Sequence, residues 1–118
     1  PRSLEILGDG RQTKSYLEVR ECVRAMLFAA DKARGTYQVY NIGSEDWIDV
    51  RSIADIVVTA MGLSGVEYRF TGGDRGWAGD VPRMLLSIEM IKSRGWGPAG
   101  GSRESVVAAA GAMARGKA

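Results

Sequence analysis

Two amphipathic helical patterns flank the run Thr36–Ser44, Thr-Tyr-Gln-Val-Tyr-Asn-Ile-Gly-Ser, and this arrangement limits the fold more than any other feature. Val39 and Ile42 stand among Thr36, Tyr37 and Tyr40, residue types that suit a pleated and largely buried surface. Gly43 and Ser44 end the run. Helix, strand and helix in succession are the local signature of an α/β layer. Tyr37–Ile42 is therefore expected to form a central strand, with a helix packed on it from each neighbour.

In the first helical pattern Val19, Cys22, Val23, Met26, Leu27 and Ala30 recur at three- and four-residue spacing, a single apolar stripe. Burying such a stripe contributes on the order of 10 kcal/mol gross, before ordering entropy is subtracted. Arg20, Arg24 and Asp31 face away from it; Lys32 and Arg34 complement the helix C-terminus and Gly35 can close it. In the second pattern Asp49 is the expected N-cap, Val50, Ile53, Ala54, Val57, Ala60 and Met61 form the stripe, and Gly62 terminates it. Leu4–Leu7, Lys14–Val19 and Val66–Phe70 read as short extended segments. Ser87 is placed to cap a short helix over Ile88–Arg94, and Ser102 a last helix reaching about Ala114. About four helices and several short strands make an α/β chain.

The 118 residues suit one modest domain or part of a larger one, and 45% apolar with 25% charged residues is ordinary for a globular chain. Sixteen basic and fourteen acidic residues are scattered, without a basic stripe or aromatic platform, which argues against nucleic acid. No segment is apolar for long enough to span a membrane, so a cytoplasmic protein is expected. One cysteine excludes an internal disulfide. The absence of histidine excludes the usual zinc sites and Ser-His or Cys-His nucleophile pairs, so neither a metal site nor a catalytic residue is assigned. Cys22, on the apolar stripe, is expected as a small packed hydrophobe.

Chemistry concentrates in the glycine-rich loop Thr71–Pro82. Gly73, Gly76 and Gly79 fit a loose dinucleotide pattern after a strand, but the loop runs into Asp80-Val81-Pro82-Arg83 rather than into a helix. The proline disfavours helical Val81, and a carboxylate there repels phosphate, so no cofactor-binding residue is assigned. Arg75, Asp80 and Arg83 can instead clasp an anionic ligand. The competing reading is a solvated loop in which Asp80 pairs with a neighbouring arginine. Both remain open on the residues alone.

Four segments in order, Leu4–Gly10, Thr13–Val19, Val39–Ser44 and Gly72–Arg83, resemble the C-terminal portion of NAD-dependent sugar-nucleotide epimerases and dehydratases. This is the extended short-chain dehydrogenase family, with UDP-glucose 4-epimerase as the nearest type. The resemblance runs from Leu4 to about Met113 and implies a partial Rossmann-type α/β fold. It places residues 1–118 as the substrate-binding region and implies that the NAD-binding Rossmann domain is absent. Neither a glycine-rich loop in the right context nor a Tyr-x-x-x-Lys pair occurs, so no cofactor is expected on this chain, NAD belonging to the full-length enzyme.

The resemblance further implies that Leu7 lies along the nucleotide base and that Lys14 stands where the family often has a diphosphate-binding arginine. Asp80 matches the acid of an Arg-x-Gly-Asp stretch that meets the ribose; here the stretch reads Trp77-Ala78-Gly79-Asp80, and Arg75 or Arg83 is left to replace the missing arginine. The expected substrate-binding set is thus Leu7, Lys14, Arg75, Asp80 and Arg83, for a UDP-sugar or related nucleotide-sugar. The chain is expected not to catalyse epimerisation alone, and to self-associate as a homo-oligomer through its exposed strand and helix faces. The alternatives are a stand-alone nucleotide-binding module and a non-catalytic oligomerising remnant.

Overall fold

The computed structural model describes residues 2–116. In chain order the elements are β1 (Ser3–Ile6), β2 (Thr13–Lys14), α1 (Val19–Asp31), β3 (Ile48–Asp49), α2 (Val50–Ala60), β4 (Glu67–Phe70), α3 (Glu89–Ser93) and α4 (Ser102–Ala114). β1 and β4 pair in parallel, Ser3 opposite Glu67 and Ile6 opposite Phe70, while β2 and β3 pair antiparallel, Thr13 opposite Asp49. The expected α/β content with four helices is present.

Asp49 caps α2 as its position implies: its carboxylate accepts the Ser52 N–H at 2.9 Å and the Ser52 hydroxyl at 2.7 Å. Gly62, at φ +68°, turns the chain out of that helix. The start of α4 is built differently from the expectation. Ser102 is the first helical residue rather than the cap, and Asp46 accepts its N–H at 2.8 Å. The buried Ser102 hydroxyl donates to the Asp46 carbonyl and accepts the Tyr16 N–H, each at 3.0 Å, while the buried Ser44 hydroxyl donates to the Tyr16 carbonyl. Two distant segments, 44–46 and the start of α4, thereby fix the backbone just before α1.

Two small cores result. Ala25, Ile88 and Ile91 pack with Phe28, Ala29, Tyr40, Ile42 and Trp96; Ile48, Ile56 and Val106 pack with Ile53 and Ala110. The radius of gyration is 16.8 Å, against about 13.5 Å for a compact chain of this length. The extents of 55 × 32 × 18 Å describe a flat, elongated body.

Three further expectations need correction. Tyr37–Ile42 forms no strand: Tyr37 is 83% and Val39 75% exposed, and among the described residues no backbone–backbone hydrogen bond joins this segment to another. Its residue types favour a sheet, but a ladder also needs an adjacent edge, and none of the described strands supplies one. Likewise Val19, Val23, Met26 and Leu27 of the α1 stripe lie exposed, while Ala25, with no exposed surface, provides the contact to Ile88 and Ile91. The helix lies where expected but packs through its small-residue face, where an alanine lets α3 approach. The extended segment Lys14–Val19 likewise shrinks to the two-residue β2.

Candidate functional site

The ends of β1, β2 and β4 converge, and the loops that follow β1 and β4 meet there. After Ile6 the chain turns at Gly8, φ +88°, and Gly10, φ +80°. The loop after β4 locks onto this turn: the Gly72 N–H donates to the Gly8 carbonyl at 2.9 Å, and the Gly8 N–H donates to the Thr71 hydroxyl at 2.8 Å. Farther along, the Thr13 N–H donates to the Pro82 carbonyl at 2.9 Å, which ties β2 to the end of the glycine-rich loop.

Lys14 closes this arrangement. Its amine forms an ion pair with Asp80 Oδ1 and donates to the Val81 carbonyl at 2.7 Å. Asp80 Oδ2 accepts the Gly76 N–H at 3.0 Å, and the Asp80 N–H donates to the Trp77 carbonyl at 3.0 Å. The Lys14 hydrogen bond, followed by that from Gly76, holds the Asp80 carboxyl below the ordinary aspartate range against the opposing effect of burial. Asp80 therefore pairs with a lysine 66 positions away, not with a neighbouring arginine as the solvated-loop reading had it.

Leu7, half exposed, borders the same loop: a Cβ built on Gly76 would lie 3.5 Å from Leu7 Cβ. The Arg75 backbone reaches the Gly8 turn, and Arg83 follows directly on the Pro82 carbonyl bonded to β2; both arginine side chains are exposed. The five residues expected to bind substrate thus come from three separated segments to one edge of the molecule. Lys14 and Asp80 are joined directly, Leu7 borders their loop, and the two arginines flank it without a contact to the pair.

Gln12 belongs to this edge and was not among the expected site residues. It is only 4% exposed, its Nε2 donates to the Leu7 carbonyl at 2.8 Å, and its Oε1 is buried without a partner. Its backbone carbonyl accepts the Val50 N–H at 3.1 Å, so the same residue links the turn to α2. A glutamine in a polar run gives no such sign; the flanking Gly8-Asp9-Gly10 turn, tight enough to require something beneath it, was the available one. Among the described residues no cluster of metal-ligating side chains occurs. Trp47 and Trp77 are exposed, while Trp96 packs in the core beside α3. Elsewhere an apolar groove of about 870 Å³ lies between α2, α4 and the approach to α1, lined by Leu17, Ile53, Val57, Val106, Ala110 and Met113.

This α/β arrangement has its structural neighbours among Rossmann-type epimerases and dehydratases. Residues 2–43 match the NAD dependent epimerase/dehydratase family. GDP-L-fucose synthase of Sinorhizobium fredii is 34% identical over 95 residues, covering 80% of this chain and 29% of that protein. A crystal structure of UDP-galactose 4-epimerase superposes with a TM-score of 0.81 at 33% identity, over 98% of this chain and 36% of the other. MoeE5, solved with UDP-glucose and NAD, shares the fold at 24% identity, TM-score 0.75, over 98% of this chain and 38% of its own.

Over most of its length the chain resembles members of the NAD-dependent epimerase/dehydratase family. It spans about three-tenths of the curated relative and somewhat over a third of these solved structures. Among the described residues no helix is long and apolar enough to cross a membrane.

Proposed function

We propose that this chain is the nucleotide-sugar-binding region of an NAD-dependent epimerase/dehydratase, with Leu7, Lys14, Arg75, Asp80 and Arg83 forming its ligand edge. The observation that carries the reading is the meeting of Leu7, Lys14 and Asp80, the last two joined across 66 positions, beside two exposed arginines. Lysine and arginine suit a diphosphate, lysine as a point charge and arginine as a fork. Leu7 offers an apolar surface to a base. UDP-glucose in one solved neighbour, and the GDP-sugar enzyme among the relatives, both support a nucleoside diphosphate as the common element of the ligand.

Hydride transfer in this reading depends on NAD held by residues outside these 118. The chain's own part is to bind and orient, and its expected turnover of UDP-glucose with added NAD is nil. Titration calorimetry with UDP tests the binding claim, with GDP as the second arm to separate the bases. Saturable binding that disappears in Lys14→Ala is the expected result; heats no larger than dilution, for both nucleotides, would defeat the reading.

A second reading rests on the exposed Val19, Val23, Met26 and Leu27 of α1 together with the unladdered 37–42 segment. An apolar helix face beside a row of open backbone groups favours self-association. Sedimentation velocity distinguishes it: a stable oligomer without UDP binding favours an assembly role alone.

A further inference from the structure

The ligand edge contains a contradiction that its own geometry resolves. Lys14 is the cation best placed for a phosphate, yet its amine already has two acceptors within the chain, Asp80 Oδ1 and the Val81 carbonyl. Asp80 is equally committed, one oxygen to Lys14 and the other to the Gly76 N–H, with its side chain 9% exposed. A carboxylate so enclosed has little surface left for a ribose hydroxyl. A phosphate brought against Lys14 would face the Asp80 negative charge at short range, a like-charge contact that disfavours binding.

We propose that Asp80 is the resident counter-ion of Lys14: a positioning residue that holds the amine and the 76–82 loop in register, and that an incoming phosphate displaces. The proposal rests on the nucleotide reading above for the identity of the ligand, but not for the pairing itself. In the free chain the loop is pinned twice, through Lys14 to Asp80 and Val81 and through Thr13 to Pro82. Arg75 and Arg83, exposed on either side of the pinned stretch, meet an anion first. Lys14 then exchanges one oxyanion for another, and Asp80 keeps its Gly76 hydrogen bond, so the loop need not unfold for the exchange to occur.

The Asp80→Asn variant separates this role from a ribose contact. Asparagine keeps an oxygen for the Gly76 N–H but removes the charge that competes for Lys14. A resident pair occupied four-fifths of the time would lower apparent affinity about fivefold, which the variant recovers. The expected result is about fivefold tighter binding of inorganic pyrophosphate and of UDP, abolished in both cases by adding Lys14→Ala. Pyrophosphate has no ribose, so if the parent chain binds it, unchanged or weakened binding to Asp80→Asn overturns the proposal.

A readout without any nucleotide keeps the two readings apart. Under limiting acetic anhydride, Lys14 acetylation relative to Lys32, measured by mass spectrometry, is expected to rise severalfold in Asp80→Asn. An unchanged ratio overturns the counter-ion role whatever UDP does. A raised ratio in a chain that binds neither UDP nor pyrophosphate upholds the pairing and removes the nucleotide reading instead.

Discussion

Replacing Gly8 by alanine tests the construction of the proposed ligand edge at its tightest point. Two separate costs arise. Gly8 has φ +88°, where a side chain costs roughly 1–2 kcal/mol. The added Cβ would also overlap Gln12 Nε2 and stand 3.1 Å from the Arg75 carbonyl. Gln12 can yield only by giving up its 2.8 Å bond to the Leu7 carbonyl, a net loss of about 0.5–1.5 kcal/mol. Together these come to about 2–3 kcal/mol. With a urea slope of about 1.5 kcal/mol/M the unfolding midpoint falls by about 1.5 M. The measurement is urea unfolding followed by circular dichroism, repeated in a Gln12→Ala background. There the overlap with glutamine is gone and only the backbone cost and the Arg75 carbonyl contact remain, so Gly8→Ala should be cheaper by about 1 kcal/mol, a coupling larger than the usual error of such cycles. An equal cost in both backgrounds, or a Gly8→Ala protein within about 0.5 kcal/mol of the parent, would refute the picture of glutamine wedged under the turn.

Three further expectations follow from the same structure. Asp49→Ala removes the cap of α2 and should destabilise by about 1 kcal/mol in thermal or urea unfolding. Burial raises the Asp49 carboxyl, but the Ser52 hydroxyl and N–H outweigh it and leave it lowered. The cap's contribution is therefore fully present above the ordinary aspartate range and fades as pH drops through the lowered folded value; Asp49→Asn should flatten that part of the acid profile, and an unaltered profile would contradict the assignment. Ile91→Ala empties a site with no exposed surface beside Ala25 and Ile88, with an expected loss of about 2–5 kcal/mol, and a loss below 1 kcal/mol would mean that this core is loose. Val23→Lys with Leu27→Lys places charge on the open face of α1, and sedimentation should show less self-association without loss of helicity. A parent chain already monodisperse and monomeric at micromolar concentration would remove the basis for that last expectation.

What the chain reveals before folding depends on the range of the interaction. Asp49 and Gly62, which act within a few residues, bound α2 almost as periodicity implies, and α1 begins and ends near its expected positions. The partners of those helices are another matter. A stripe such as Val19–Ala30 reports that one side is apolar, not that anything covers it, and Ala25 on the other flank made the contact. Tyr37–Ile42 has the composition of a strand, yet pairing requires an edge that composition does not describe. Asp46 at the start of α4 and Lys14 against Asp80 are joined across 56 and 66 positions. Local pattern cannot express such unions. Within the proposed ligand edge, Leu7, Lys14, Asp80 and the two arginines were legible as residue types, while their mutual arrangement, and the part of Gln12, were not.

The parallel pairing of β1 with β4 has a consequence for how the chain is made. Ser3 meets Glu67, so the partner that β1 has among the described strands does not exist until some sixty-four further residues are made. At a synthesis rate of about 5–20 residues per second, that interval is roughly 3–13 s. Throughout it a short extended segment waits with its ladder groups free while α1 and α2 emerge, their packing partners α3 and α4 still to be made. Glu5, exposed in the finished fold, puts a charge on the waiting segment, the kind of guard that discourages a neighbouring nascent chain from closing the ladder first.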